Sequence, residues 1–198
     1  MIWVGICGSS GSGKSTVCRI FEEHGFAWLD CDAIYHDLVS APSECLSAIG
    51  ERFGREVIAD GRLDRALLRE IVFSDSGLSA ELGRITHPYV INELHRRSAL
   101  LEEKGVFFCL IDAPMLFESG LDSDCELVIG VTADEAVKVK RLALRDGISE
   151  KQALDRWKNQ LSDRVLKEKC DIIINNSGSL EELEKCCKEA INKIASAF

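Results

Sequence analysis

The 198-residue chain lacks any apolar run approaching the roughly 20 residues needed to span a bilayer. Its longest, Val106 to Ile111, is strand-sized, so no membrane association is expected. Met1 leads straight into Ile2-Trp3-Val4-Gly5-Ile6-Cys7, without the basic n-region and cleavage motif of a secretory signal. Positive charge is in deficit: 24 Lys and Arg face 33 Asp and Glu, for a formal net charge of −9, which argues against general nucleic-acid binding. Nine cysteines are present, yet none stand as a C-x-x-C pair and the ligand spacings of a zinc cluster are absent. An odd number without a secretory signal does not suit a disulfide framework. They read as reduced, mostly buried thiols acting as small hydrophobes, which points to the cytoplasm. No internal repeat or low-complexity segment stands out, and the 46% of hydrophobic residues is enough to build a core.

What the chain does have is alternation. Ile2–Cys7, Ala27–Asp30, Val106–Asp112, Glu126–Thr132 and Asp171–Asn175 are short, nearly continuous apolar runs, as expected for parallel strands covered on both faces. Helical patterns separate them. Val17, Ile20, Phe21 and His24 form one stripe that stops at Gly25, and Leu180, Leu183, Cys187, Ile191 and Ile194 form another. Ser179-x-x-Glu182 and Thr132-x-x-Glu135 each read as a capping box. The fold class is therefore α/β, a doubly wound five-stranded parallel sheet. Between the second and third strands lie helical patterns at Ala33–Val39, Ser43–Glu51, Asp64–Phe73 and Leu78–Glu103, too long for one crossover. They read as a helical insertion, either an acceptor-substrate site or a cover for a sheet face. Residues 138–169 carry ten basic residues against five acidic ones, either a solvated helix face or a patch serving phosphate.

Gly8-Ser9-Ser10-Gly11-Ser12-Gly13-Lys14-Ser15 fits G-x-x-x-x-G-K-[ST] between an expected strand and an expected helix. Glycines permit positive φ and close approach to phosphate, and loop N–H groups with the helix N-terminus form a donor cradle for anions. Lys14 adds a charge at the β/γ-phosphates, Ser15 can ligate Mg²⁺, and Thr16 supplies a neighbouring hydroxyl. Asp112, ending its strand, reads as a second Mg²⁺ ligand or as a plain strand-end carboxylate. Asp30 and Asp32 fall at another strand end, where one could orient a hydroxyl nucleophile or cap the next helix. Arg141 and Arg145 share a helix face by spacing, which suits charge developing on a phosphoryl group. Gly147 breaks that helix and Ser149-x-x-Gln152 caps the next, the layout of a water-excluding lid. The absence of N-K-x-D and of an L-S-G-G-Q signature weakens the readings of a GTPase switch and a transporter ATPase.

Beyond the P-loop, a set of blocks running in order along the chain resembles the dephospho-coenzyme A kinases. They are Leu29-Asp30-Cys31-Asp32-Ala33-Ile34-Tyr35-His36, Asp60-Gly61-Arg62-Leu63-Asp64-Arg65 with Ile71-Val72-Phe73, Ile85-Thr86-His87-Pro88, Asp112-Ala113-Pro114 through Gly120, Arg141-Leu142-x-x-Arg145-Asp146-Gly147 with Gln160, and Asp171 through Leu180. The resemblance implies ATP-dependent phosphorylation of the ribose 3′-hydroxyl of dephospho-coenzyme A, with Mg²⁺, by a monomer or small homo-oligomer. It implies a core in three pieces (1–32, 105–140 and 166–198), a helical acceptor domain over 33–104 and a lid over 141–165. Carried over residue by residue, Gly11, Ser12, Gly13, Lys14, Ser15 and Thr16 hold the ATP phosphates, with Ser15 and Asp112 on the metal. Asp32 is the base or the group that orients the hydroxyl, Lys14 and Arg141 complete the catalytic set, and Arg145 adds to the ATP site. Arg65, His87 and Glu118 fall in blocks that face acceptor or core, with Arg65 and His87 counted with Asp32 as acceptor-binding. Two departures stand out. Cys31 replaces the usual Ala between the aspartates, and Tyr89-Val90-Ile91 stands where a basic residue is common, shifting the acceptor grip to Arg96 or Arg62.

Overall fold

The computed structural model describes residues 1–73, 75–158 and 163–198. In chain order the elements are β1 (Ile2–Gly8), α1 (Lys14–Glu23), β2 (Ala27–Asp30), α2 (Cys31–Val39), α3 (Glu44–Phe53), β3 (Ile58–Ala59), β4 (Arg62–Leu63), α4 (Arg65–Phe73) and α5 (Ser76–Glu102). After these come β5 (Phe108–Asp112), β6 (Leu127–Thr132), α6 (Glu135–Asp146), α7 (Glu150–Lys158), α8 (Asp163–Lys169), β7 (Ile172–Asn175) and α9 (Leu180–Ala197). Chain contacts divide it into two compact units, Met1–Leu29 with Glu102–Phe198, and Asp30–Leu101. Of the expected lid stretch, residues 159–162, Gln160 among them, lie outside the described residues.

The first unit is built on a five-stranded sheet of order β2-β5-β1-β6-β7. β1 runs parallel to β5 and β6, and β6 parallel to β7. The expected α/β class follows from two-sided burial: Val4 and Ile6 turn one way, into a core with Val17, Phe21, Leu183 and Ile194 of α1 and α9. The alternate residues of β1 face the other way, where α8 touches β1 and β6. Phe21, fully buried, meets Phe26 edge-on at 5.1 Å, and Phe26 stacks on Phe108 at 4.8 Å. Because β1 lies between β5 and β6, its carboxyl end opens at the point where the strand order switches, the customary ligand edge of such sheets.

Local signals decide several element ends. Gly25 (φ 90) stops α1, and the Ser179–Glu182 and Ser149–Gln152 pairs each form their reciprocal cap. The box expected at Thr132–Glu135 does not form. Thr132 is the buried last residue of β6, α6 starts with Asp134 as its N-cap, and the Asp134 N–H donates instead to Ser177 Oγ at 2.9 Å.

In the second unit, Val39, Cys45, Leu46, Ile49, Phe53, Val57 and Leu68 form one apolar cluster, closed over by side chains of α4 and α5. A hairpin not expected from the sequence, β3–β4, pairs Ile58 with Leu63 and Ala59 with Arg62. Its turn residues Asp60 (φ 52) and Gly61 (φ 73) both take positive φ, the demand that Asp-Gly meets best. α5 continues through Pro88, as expected for the helix read over Leu78–Glu103. Among the described residues no helix is long and apolar enough to cross a membrane.

Truncating the centre of the first core tests this packing. Phe21→Ala is expected to cost about 3–5 kcal/mol in unfolding free energy, against within about 0.5 kcal/mol for Leu144→Ala at an exposed site, both read by urea denaturation.

Candidate active site

The loop between β1 and α1 is shaped by contacts that leave no room for side chains. Gly11 (φ 82) lies so close to α6 that a Cβ there would overlap the Lys138 carbonyl oxygen. Gly13 (φ 87) lies so close to Asn176 that a Cβ would overlap its Nδ2. Both φ values sit in the left-handed region that glycine alone enters freely. The Ser12 N–H donates to the Ser9 carbonyl at 3.0 Å and closes the turn. Gly13 is also the N-cap of α1 and brings no capping side chain, so the helix's first N–H groups remain available to an anion. Ser9 and Ser12 are buried, and their hydroxyl oxygens have no hydrogen-bond partner. Orphaned polar atoms in a concave, glycine-shaped loop fit a site made for a polar ligand.

Lys14, the first residue of α1, pairs through Nζ with Oδ1 of Asp112, the buried last residue of β5. In the strand register Asp112 lies opposite Ile6, which puts its carboxylate at the carboxyl edge of the sheet, beside the loop. The structure thus brings together two residues expected to serve the phosphates and the metal. Ser15 is exposed and Thr16 half-buried in the same helical turn.

Asn176, 5% exposed just past β7, was missed by sequence reasoning. Its Nδ2 donates to the Ser12 carbonyl at 2.8 Å, its N–H donates to the Thr132 carbonyl at 2.8 Å, and its own carbonyl accepts from Arg141 Nη1 at 3.0 Å. Asn176 therefore ties the phosphate loop, through its side chain, to the end of β6, through its backbone N–H, and Arg141 is aimed at the same residue. Arg145 does not join Arg141 there. It is exposed and pairs with Asp146 at 2.8 Å, which also accepts from Arg156 of α7 at 2.9 Å. Part of the basic stretch pairs within itself: besides Arg145 and Arg156, Arg164 pairs with Glu168, and Lys138, 1% exposed, pairs with Asp163 at 2.7 Å, its Nζ over the Trp157 ring.

In the helical unit, Asp30 resolves one alternative by capping α2: its carboxylate accepts from the N–H groups of Asp32 at 2.9 Å and Ala33 at 3.2 Å. That bond lets α2 begin at Cys31 and presents Asp32, exposed, in its first turn. A cavity of about 500 Å³ is lined by Tyr35, Leu63, Arg65, Arg69, Val72 and Leu82, among others. Burial, with the nearby Cys45 thiol adding to it and Arg65 opposing, pushes the Tyr35 hydroxyl up to about 12. It stays protonated and able to donate. His87 is not part of the described lining; it is half-buried on α5, its ring against Gly83. Arg96 is held in a two-pronged pair with Glu93 at 2.7 and 2.8 Å, and Arg62 is exposed on β4. The second guanidinium on the cavity is Arg69, one turn beyond Arg65, which sequence reasoning did not single out. The i, i+4 spacing of the two arginines was its only signal.

A family model described as dephospho-CoA kinase matches residues 2–182. A dephospho-CoA kinase of Corynebacterium glutamicum is 37% identical over 195 residues, covering 98% of this chain and 100% of its own. Among solved structures, the dephospho-CoA kinase from Campylobacter jejuni is 26% identical, covers 98% of each chain and superposes with a TM-score of 0.72. The shikimate kinase from Acinetobacter baumannii, solved with shikimate, covers 100% of this chain and 94% of its own at 16% identity and a TM-score of 0.58, a likeness of fold alone.

The Asn176 clamp makes a distinctive prediction. Asn176→Asp sets a carboxylate against the Ser12 carbonyl, costs about 1–3 kcal/mol and raises the KM for the nucleotide about tenfold at mildly alkaline pH. The rise is expected to shrink as pH falls and the protonated carboxyl donates again, whereas Asn176→Ala raises KM without that pH dependence. Steady-state KM and kcat across pH separate the two; identical profiles would reduce Asn176 to packing.

Proposed function

The chain belongs to the dephospho-CoA kinase family, and from that premise we propose how its residues divide the work. The protein phosphorylates the ribose 3′-hydroxyl of dephospho-CoA with ATP, giving CoA and ADP, a step of CoA biosynthesis. The observation that carries the nucleotide half is the loop pinned by Gly11 on α6 and by Gly13 under Asn176, with Lys14 leading the helix behind it. Loop N–H groups and Lys14 take the β- and γ-phosphates. Asp32 accepts the proton of the 3′-hydroxyl as that oxygen bonds to the γ-phosphorus and the bond to the β-phosphate oxygen breaks. Arg141 meets the charge spreading over the transferring group. Asp30 supports the role of Asp32: with the helix cap already supplied by its neighbour, the second carboxylate is not needed for that task.

A divalent cation fits the donor chemistry of this chain. Among the described residues no three His, Cys, Asp or Glu side chains gather into a metal cage. Ser15 and Asp112 offer hard oxygen donors, and Mg²⁺ commonly takes one or two such protein ligands and fills its shell with phosphate oxygens and water. When bound, the ion neutralises charge on the phosphates; Ser15 and Asp112 would hold it.

For the acceptor, we assign its diphosphate to Arg65 and Arg69 and its pantetheine arm to the apolar wall made by Leu63, Val72 and Leu82. His87 serves that unit from α5, and Arg145 backs Arg141 when Asp146 releases it. The nine free thiols support a cytoplasmic setting, with the enzyme acting as a monomer or small homo-oligomer.

Coupled ADP release is expected with dephospho-CoA and to be slight with AMP, UMP, shikimate or water; rapid hydrolysis without acceptor would instead mark a nucleotide switch. Asp32→Asn should lower kcat by about 10²–10⁴-fold with ATP affinity nearly intact, and Lys14→Ala should weaken both. Normal turnover with poor ATP binding in Asp32→Asn would remove Asp32 from the proton transfer. Arg65→Ala and Arg69→Ala should each raise the KM for dephospho-CoA about tenfold and leave that for ATP unchanged.

A further inference from the structure

The face of the sheet away from α1 and α9 holds two thiols for which the phosphoryl transfer has no use. Cys7 is the residue of β1 directly before Gly8, where the phosphate loop begins, and it is 2% exposed. Cys170 follows the last residue of α8, just ahead of β7, and is half-buried. Their sulfurs lie 3.6 Å apart. They meet across a strand, because β6 separates β1 from β7. Gly130 makes the meeting possible. It is the β6 residue in register with Cys7 on one side and Ile173 on the other, and a Cβ there would stand 2.9 Å from the Cys170 sulfur. The side chain missing from the middle strand is the gap through which the two thiols touch.

We propose that Cys7 and Cys170 form a reversible disulfide when a hydroperoxide reaches Cys170, and that this bond slows the enzyme by gripping β1 directly beneath the phosphate loop. Cys170 is the more accessible sulfur and reacts first. Its thiolate attacks the outer oxygen of the hydroperoxide, the O–O bond breaks, and Cys170 becomes a sulfenic acid while the alkoxide or hydroxide leaves with a proton as alcohol or water. The Cys7 sulfur then attacks the Cys170 sulfur; the S–O bond breaks, and the departing hydroxide takes the Cys7 proton and leaves as water. Two thiols lose two electrons and two protons, and one hydroperoxide is reduced. The proton arrangement favours this order. The Cys7 S–H shared with the Cys170 sulfur holds Cys170 below the ordinary thiol range and, together with burial, holds Cys7 above it.

The functional effect follows from how little slack β1 has. Bonding draws the sulfurs from 3.6 Å to about 2.05 Å. The next residue, Gly8, is already so confined that a Cβ there would lie 2.7 Å from the Val131 carbonyl oxygen and 2.8 Å from Ser12 Oγ. A shift at Cys7 therefore passes into the loop. This second half rests on the loop's role in holding ATP; the bond itself does not.

The test uses the full chain, reduced and then treated with a small molar excess of hydrogen peroxide. After free thiols are blocked, the peptide map is expected to show one new link, Cys7 to Cys170. ADP release in the presence of dephospho-CoA should fall by up to about 10²-fold, the cost of misplacing a reactive group by about 1 Å, and dithiothreitol should restore it. Cys170→Ser should form no link and keep its activity through the same treatment, whereas Cys186→Ser, altered at another half-buried thiol, should respond as the unaltered chain does. A map without the link, or inactivation of Cys170→Ser equal to that of the unaltered chain, overturns the proposal. The link with unchanged kinetics overturns its regulatory half. Failure of the loop assignment would show separately, as absent ATP binding in the reduced protein before oxidant is added.

Discussion

Close approach to two glycines organises the loop between β1 and α1. The loop has no side chain at Gly11 and Gly13, and the surface that closes on them comes from distant parts of the chain. The Lys138 carbonyl of α6 closes on Gly11, and the Asn176 amide after β7 closes on Gly13. Their effect is exclusion: each leaves the loop one course, with φ values that only glycine adopts without strain. Once that course is fixed, α1 starts where the loop delivers it, Lys14 reaches Asp112, and the carbonyl of Ser12 is turned to Asn176 instead of toward an incoming anion.

The elements that make this surface are themselves held by unusual means. α6 carries Lys138 almost wholly out of water, a costly placement for an ammonium unless it is paired. Asp163 supplies the carboxylate and Trp157 the π-face, so a charged side chain serves as an internal strut linking α6, α7 and α8. Replacing one partner would leave the other charge stranded, and the carbonyl that limits Gly11 belongs to the same residue.

Much of this architecture could be read from residue order. The apolar runs of β1, β2, β5, β6 and β7 and the stripes of α1 and α9 are local patterns, and local patterns survive without knowledge of the fold. The P-loop was legible for the same reason. What escaped was non-local or very short. Asn176 lies 164 residues from Ser12, so no spacing rule connects them. Lys138 counts as one more cation in a basic stretch until its burial is known. Arg141 and Arg145 share a helix face by spacing, but Asp146 beside Arg145 captures it. β3 and β4 have two residues each, too few for alternation to register. The Thr132–Glu135 pattern failed because β6 needed Thr132 as its last residue, and Ser177 took over the exposed N–H.

The distance between Ser12 and Asn176 has a consequence for how the protein comes into being. The glycine loop leaves the ribosome ahead of the residue that closes on it, since Asn176 emerges 164 positions after Ser12. At roughly 5–20 residues per second, the interval is on the order of ten to thirty seconds. The central strand waits similarly, since its neighbours β5 and β6 begin only at Phe108 and Leu127. A nascent chain therefore carries its glycine loop without this partner until β7 has been made.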